Sequence, residues 1–100
     1  MYLPPVASGP LTLDVVHHCD ALTLLRALPD ASVDLIATDW PYNMDKAEWD
    51  TWKTDADYLT WMRPHLAEMQ RVLKPNGSYY GFASPYLAAH VEILTGEYFK

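Results

Sequence analysis

The 100-residue sequence is poor in the features that mark several common classes of protein. Its only cysteine is Cys19, which excludes an intrachain disulfide and a cysteine-rich zinc site. No apolar run is long enough to span a membrane, and the amino terminus lacks the basic and apolar stretches of a secretory signal. We therefore expect a soluble, cytoplasmic protein that does not bind a membrane.

Positive charge is also scarce, because 7 Lys and Arg residues face 13 Asp and Glu residues, for a formal net charge of -6. A domain that binds nucleic acid by itself usually carries a basic face. This chain cannot carry much of one. If its ligand is a nucleic acid, most phosphate contacts must come from outside these residues.

What is present is the composition of a small globular domain, with 50% apolar and 20% charged residues. Residues 1–10 contain three prolines and predict an irregular lead-in, so the domain occupies residues 11–100. Apolar periodicity and turn residues predict the order β-α-β-α-β-α. The elements cover residues 11–17, 21–28, 33–38, 54–73, 78–83 and 85–94. This alternation predicts an α/β fold with a parallel sheet and right-handed crossovers, whose chemistry lies beyond the carboxyl ends of the strands.

The 54–73 helix carries the clearest local signals. Thr54 with Asp57 resembles a capping box at its start, and residues 74–77 (KPNG) predict a helix stop and a turn. Pro64 conflicts with the pattern, so we expect it to kink the helix or to split it after Arg63. The apolar stripe of this helix predicts its buried face and consists of Leu59, Met62, Leu66, Met69 and Leu73.

The loop after the second predicted strand, residues 39–53, is unusually aromatic and longer than most loops inside a compact domain. Asp39 offers acceptor oxygens where an apolar strand ends. Pro41 fixes its own φ and restricts Trp40 to extended conformations, which holds the Trp40 carbonyl in a defined direction. Tyr42 adds a flat aromatic face. Two acceptors and a stacking surface suit a planar ring with an exocyclic amine, such as an adenine or cytosine flipped out of a duplex.

This loop resembles the D-P-P-Y motif of the DNA amino-methyltransferases, which methylate N6 of adenine or N4 of cytosine. Further segments resemble the same family in its order: Asp20-Ala21-Leu22, residues 28–36, residues 38–43 and residues 71–78. The resemblance covers the chain from about residue 11 onward. It implies the N-terminal part of the catalytic domain of an S-adenosylmethionine-dependent methyltransferase, with a partial Rossmann-like parallel sheet.

The resemblance also implies roles for individual residues. The Asp39 carboxylate and the Trp40 carbonyl accept hydrogen bonds from the amine, Pro41 constrains that carbonyl, and Tyr42 stacks on the base with Asn43 beside it. The residues expected to contact the cofactor are Asp20, Ala21 and Asp39. No metal takes part, and double-stranded DNA is the expected partner, with a nucleoid location if the source is prokaryotic or a phage.

Three departures from the family pattern stand out. Trp40 replaces the usual first proline of the motif, and Cys19 stands where the family often has glycine. The glycine-rich F-x-G-x-G loop that seats the cofactor is missing, because Gly9, Gly77, Gly81 and Gly96 do not form that spacing. We therefore expect incomplete binding of S-adenosylmethionine by these residues, and a target-recognition region is not evident.

Several alternatives stay open at the level of sequence. The chain could be an inactive methyltransferase remnant or a module that binds a nucleotide or base. The sequence does not decide between adenine and cytosine as the target base, or between DNA and RNA as the substrate. It also does not decide whether the partner is a restriction endonuclease, a second copy or an additional polypeptide. Asp20 also suits a plain helix N-cap. His17 and His18 are edge residues rather than metal ligands on our interpretation, and either Trp49 or Trp52 is expected to pack on the core.

Overall fold

The computed structural model describes residues 12–42 and 52–99, which form three helices and a sheet of two parallel strands. The elements in chain order are α1 (Ala21–Ala27), β1 (Val33–Asp39), α2 (Asp55–Val72), β2 (Leu73–Phe82) and α3 (Ala88–Gly96). The α/β class and the parallel pairing of the two strands are therefore confirmed.

The strand predicted over residues 11–17 is wrong, because the described part of that segment, residues 12–17, contains no strand. Asp14 adopts a left-handed conformation with φ of 60°, which an extended strand excludes. The Nε2 of His17 lies 3.0 Å from the Thr12 carbonyl oxygen, so the segment turns back on itself. Val16 is 97% exposed. A β-branched composition favours a strand only where a neighbouring strand and a buried face are available.

Helix α2 begins and ends where its local signals predict. The Thr54 Oγ1 accepts a hydrogen bond from the Asp57 N–H at 3.0 Å, which confirms the N-cap. Pro64 does not split the helix, which runs unbroken through 18 residues. Pro64 and Thr60, the residue whose carbonyl loses its helical partner, are both exposed, so water can satisfy that carbonyl.

Residues 74–77 form a bulge at the start of β2 rather than a separate turn. Val33 pairs with Leu73, but Leu35 pairs with Ser78, so the chain of β2 advances further than that of β1 between these two pairs. A Cβ atom at Gly77 would lie 2.7 Å from a Leu73 side-chain atom and 3.0 Å from the Asp34 carbonyl oxygen. A side chain larger than that of glycine would therefore displace the Leu73 side chain and crowd the neighbouring strand at Asp34.

The last helix starts three residues later than the sequence predicts, at Ala88 instead of residue 85. Ser84 opens a turn, in which its carbonyl accepts from the Leu87 N–H at 2.9 Å and its Oγ accepts from the Tyr86 N–H at 3.2 Å. A hydroxyl residue before proline suits either a helix start or a turn, and here the turn is formed.

The core lies between the helices and one face of the sheet, where Ile36 and Tyr79 pack against buried residues of α2 and α3. On α2 the buried positions are Tyr58, Met62, His65, Leu66, Met69 and Val72. The other face of the sheet bears Leu35, Tyr80 and Phe82, which are exposed. The two faces of the sheet thus differ sharply, and only one of them is covered within the described residues.

Candidate functional site

The site predicted from the sequence lies at the carboxyl edge of the parallel pair. Asp39 is the last residue of β1 and pairs with Phe82, the last residue of β2. The Trp40 N–H extends the ladder by donating to the Phe82 carbonyl at 2.9 Å. Asp39 itself is exposed. The carboxylate therefore stands at the sheet edge where α/β proteins place their chemistry.

The indole of Trp40 is buried, with 3% of the residue exposed. Its Nε1–H donates a hydrogen bond to the Tyr79 Oη at 2.7 Å. The ring meets Trp61 and His65 edge to face, with centroid distances of 6.1 and 6.2 Å. The large side chain that departs from the family motif thus lies in the core, and its polar N–H is satisfied there.

The next residue of the segment is held by α2. The Pro41 carbonyl oxygen accepts a hydrogen bond from the Tyr58 Oη at 2.6 Å. Tyr58 is fully buried in the first turns of α2, where its ring packs edge to face against Trp52 at 5.0 Å. Residues 40 and 41 are consequently fixed by two different tyrosine hydroxyls. We call Trp40, Tyr58, Trp61, His65 and Tyr79 the loop anchor.

Tyr42 and Asp39 lie close enough to interact through their side chains. The negative charge of Asp39 raises the pKa of Tyr42, and desolvation and a hydrogen bond to the same carboxylate act in the same direction. The Tyr42 phenol is therefore neutral at physiological pH. An exposed carboxylate beside a half-buried aromatic ring can accept hydrogen bonds from a planar polar ligand while the ring covers its face.

Asp20 caps helix α1, as the sequence allows. Its Oδ2 accepts hydrogen bonds from the Thr23 N–H at 3.1 Å and the Thr23 Oγ1 at 3.3 Å. Ala21 is the exposed first residue of the helix. Asp20 also acts electrostatically on His65, which touches the Trp40 ring. The fold therefore brings Asp20 toward the loop anchor from the side of α1.

His65 is the one buried histidine of the site. Burial lowers its pKa most strongly, the charge of Arg26 lowers it further, and the Trp61 carbonyl and the Asp20 charge raise it. Its Nδ1 lies 3.1 Å from the Trp61 carbonyl oxygen, an arrangement in which Nδ1–H is the donor. We therefore assign a neutral imidazole with a fixed tautomer to the loop anchor.

Asp39, Trp40, Pro41 and Tyr42 follow one another at the carboxyl end of β1, and their catalytic roles stay a prediction. Asn43 and Trp49 lie outside the described residues. Trp52 packs against Tyr58 and against Trp61, at 4.8 Å from the latter ring, so this tryptophan packs on the core. Sequence reasoning missed the contacts that Tyr58, Trp61, His65 and Tyr79 make with residues 40 and 41. A signal existed for three of these, because the positions of Tyr58, Trp61 and His65 place an aromatic stripe on one face of α2.

The described residues 12–42 and 52–99 contain no group of three or more His, Cys, Asp or Glu side chains arranged to hold a metal ion. None of their helices combines the length and apolarity needed to cross a membrane. The exposed carboxylates of Asp20 and Asp39 remain as acceptors for the amino and hydroxyl groups of an organic ligand.

Comparison with known proteins identifies the family of the chain. A family model described as DNA methylase, of the N6 and N4 type, matches residues 33–100. The type II methyltransferase M.BglII of Bacillus subtilis is 33% identical over 84 residues, which cover 81% of this chain and 23% of that protein. The DNA adenine methyltransferase YhdJ of Escherichia coli strain K12 is 44% identical over 68 residues, or 65% of this chain and 23% of that protein. The type II methyltransferase M.BamHI of Bacillus amyloliquefaciens is 39% identical over 77 residues, or 73% of this chain and 18% of that protein. The chain thus spans less than a quarter of the length of these relatives.

Proposed function

The chain belongs to the DNA methylase family, and from this premise we propose that it carries the amine-binding segment of an S-adenosylmethionine-dependent DNA methyltransferase. The reaction is methylation of the exocyclic amine of a flipped adenine at N6 or cytosine at N4. The proposal includes a Rossmann-like sheet for the whole domain and double-stranded DNA as the substrate. The observation that carries it is the exposed Asp39 carboxylate at the carboxyl edge of the sheet, beside the anchored residues 40 and 41.

The chemistry needs acceptors because the lone pair of an aromatic amine is delocalised into the ring and is a poor nucleophile. We assign the Asp39 carboxylate and the Trp40 carbonyl to the two N–H groups of the amine. Acceptors on both groups favour the pyramidal nitrogen of the transition state over the planar ground state, which is electrostatic preorganisation. The Tyr42 ring, kept neutral beside Asp39, covers the face of the base.

S-adenosylmethionine, when bound, supplies a methyl group that is activated by its positive sulfur. The residues present fit part of this cofactor, because the exposed Asp20 and Asp39 carboxylates suit its amino and hydroxyl groups. The resemblance to the family also assigns a cofactor contact to Ala21, at the exposed start of α1. The net charge of -6 supports the view that phosphate contacts with DNA come from residues beyond this chain.

The test is methylation by the complete gene product that contains this chain, followed by mass spectrometry of the digested nucleosides. The wild type should yield N6-methyladenine or N4-methylcytosine, and the product identifies the base. Asp39→Asn should lower the rate by about 10²-fold or more, because one charged acceptor is lost from the transition state.

The matched control is Asp34→Asn. Asp34 is an exposed carboxylate on the same strand, and it pairs with Lys74 at 3.0 Å instead of reaching the site. The control should methylate at close to the wild-type rate. Equal methylation rates for the two variants would show that the Asp39 carboxylate has no role in methyl transfer. A wild type that binds oligonucleotides without transferring a methyl group would identify a base-binding module instead.

A further inference from the structure

We propose that Tyr58 and Tyr79 are positioning residues that fix the direction of the Trp40 carbonyl. This inference rests on the proposed function, since it concerns how the second amine acceptor is held. Neither tyrosine is expected to touch the substrate. Each acts through a neighbour, Tyr79 through the indole of Trp40 and Tyr58 through the carbonyl of Pro41.

The direction of this carbonyl depends on the backbone torsions on either side of it. It belongs to the planar peptide bond between Trp40 and Pro41. The ring of Pro41 locks the φ on one side of that peptide. The backbone of Trp40 on the other side has no ring to lock it, unlike a proline at the same position. Pro41 confines Trp40 to extended conformations, and the Phe82 carbonyl holds the Trp40 N–H. A further restraint on Trp40 is needed to narrow this range to one direction of the carbonyl.

Tyr79 supplies that restraint on the amino side of the peptide. Its Oη accepts the Trp40 Nε1–H at 2.7 Å, and its main chain is held in register with Ile36 of β1. The Tyr79 ring stacks on Phe99 at 4.6 Å with an interplanar angle of 19°. Burial raises the pKa of Tyr79, so the hydroxyl remains protonated and neutral. The acceptor is thus held by a strand and by a stacked ring.

Tyr58 restrains the carboxyl side of the same peptide. Its Oη donates to the Pro41 carbonyl at 2.6 Å from a fully buried position on α2. Together the two hydroxyls hold the residue before the peptide bond and the residue after it. The Trp40 carbonyl between them is then preorganised, and movement of either neighbour turns it away from the amine. Misplacing a reacting group by about 1 Å can cost on the order of 10²-fold in rate.

The first experiment compares Tyr58→Phe and Tyr79→Phe with Tyr80→Phe in the complete gene product. Tyr80 is the matched control, because it is the next residue on β2, lies on the uncovered face and is 59% exposed. Single-turnover methylation is measured at saturating cofactor and DNA and is normalised to the folded fraction. We expect about a tenfold loss of rate for each of the first two variants, with unchanged dissociation constants for DNA and S-adenosylmethionine. Wild-type rates for both would overturn the proposal.

The second experiment separates positioning from a merely structural role. In a Trp40→Phe background the indole N–H is gone, so Tyr79→Phe should cause no further loss of rate. Tyr58→Phe should still cause its loss, because the Pro41 carbonyl is unchanged. Equal losses for Tyr79→Phe in both backgrounds would refute action through Trp40.

Folding and function are distinguished within the same set of proteins. If Tyr79→Phe does not fold, Trp40→Phe deletes the same hydrogen bond from its donor side, and a wild-type rate for that variant overturns the proposal. A wild type that transfers no methyl group overturns the proposed function and this inference together. An active wild type with unaffected tyrosine variants overturns the inference alone.

Discussion

The two ends of helix α2 hold the rest of the molecule by opposite means. Toward its start, Tyr58 donates a neutral hydrogen bond to the Pro41 carbonyl, and the rings of Trp61 and His65 pack edge to face on Trp40. Near its end, Arg71 bonds to Glu68 and Asp30, both at 2.6 Å, and to the Leu25 carbonyl at 2.9 Å. We call this second group the arginine clamp. It joins α2 to the end of α1 and to the turn before β1.

The difference between the ends is one of solvent exposure. The Arg71 side chain is 30% exposed and that of Asp30 is 79% exposed, whereas Trp40 and Tyr58 are almost completely buried. Charges near water are screened by salt and contribute little each. The hydrogen bonds of Trp40 and Tyr58 join neutral groups, so salt screens them little, and the buried member of each pair has little access to water. The candidate site therefore sits at the end of α2 that is held by desolvated contacts.

The largest expected effect is that of Trp40→Ala on stability. Removing this buried ring should lower the free energy of unfolding by about 3–5 kcal/mol, because it opens a cavity in the loop anchor. Urea denaturation measures the change. Phe82→Ala, at an exposed ring on the adjacent strand end, is the control and should cost much less. Similar losses of stability for the two variants would contradict the proposed difference between the covered and uncovered faces of the sheet.

Tyr58→Phe comes next. It keeps the ring but leaves the Pro41 carbonyl without its buried donor, so the free energy of unfolding should fall by about 1–3 kcal/mol. Tyr80→Phe removes the same atom from an exposed ring and should be nearly neutral. Chemical denaturation of both variants compares their free energies of unfolding. An unchanged free energy for Tyr58→Phe would show that the Tyr58 hydroxyl does not restrain Pro41.

Arg71→Met should destabilise the chain less than the loop-anchor variants, and its effect should depend on salt. Deleting the guanidinium removes the bonds to Asp30, Glu68 and Leu25. The charged groups in these bonds lie close to water, so their loss costs little stability. The stability difference from wild type should shrink toward about 1 M NaCl, where the Debye length is about 3 Å. The difference caused by Trp40→Ala should not change over that range. Salt-independent loss for Arg71→Met would show that its packing matters more than its charge.

The smallest effect concerns pH and His65. Because burial lowers the pKa of His65 in the folded state, the unfolded chain binds the proton more readily. The stability contributed by the neutral ring is present above the unfolded pKa of about 6.5 and is lost as pH falls through the lower folded pKa. Groups that act on the ring are Trp61, Asp20 and Arg26. Thermal melts across this range should show a slope that His65→Gln reduces, and an unchanged slope in that variant would contradict the prediction.

Much of the fold followed from local signals. The cap at Thr54, the helix stop before residue 74 and the apolar run of β1 each depend on a few neighbouring residues, and the structure contains all three. The strand predicted over residues 11–17 failed because strand formation depends on a partner that local composition does not reveal. The split expected at Pro64 does not occur, and only the fold shows that Pro64 and Thr60 are both exposed, where water can reach a carbonyl without a helical partner.

The sequence by itself determined the family resemblance, the α/β class and the placement of Asp39 and Tyr42 where a strand ends. Those features are encoded in contiguous residues. Only the tertiary structure decided how the atypical Trp40 is accommodated. Its hydrogen-bond partner Tyr79 is 39 residues away, and the partner of Pro41, Tyr58, is 17 residues away. Such pairs form only after β1 and β2 align and α2 packs across them, because a hydrogen bond of a few ångströms cannot be inferred from chain neighbours alone.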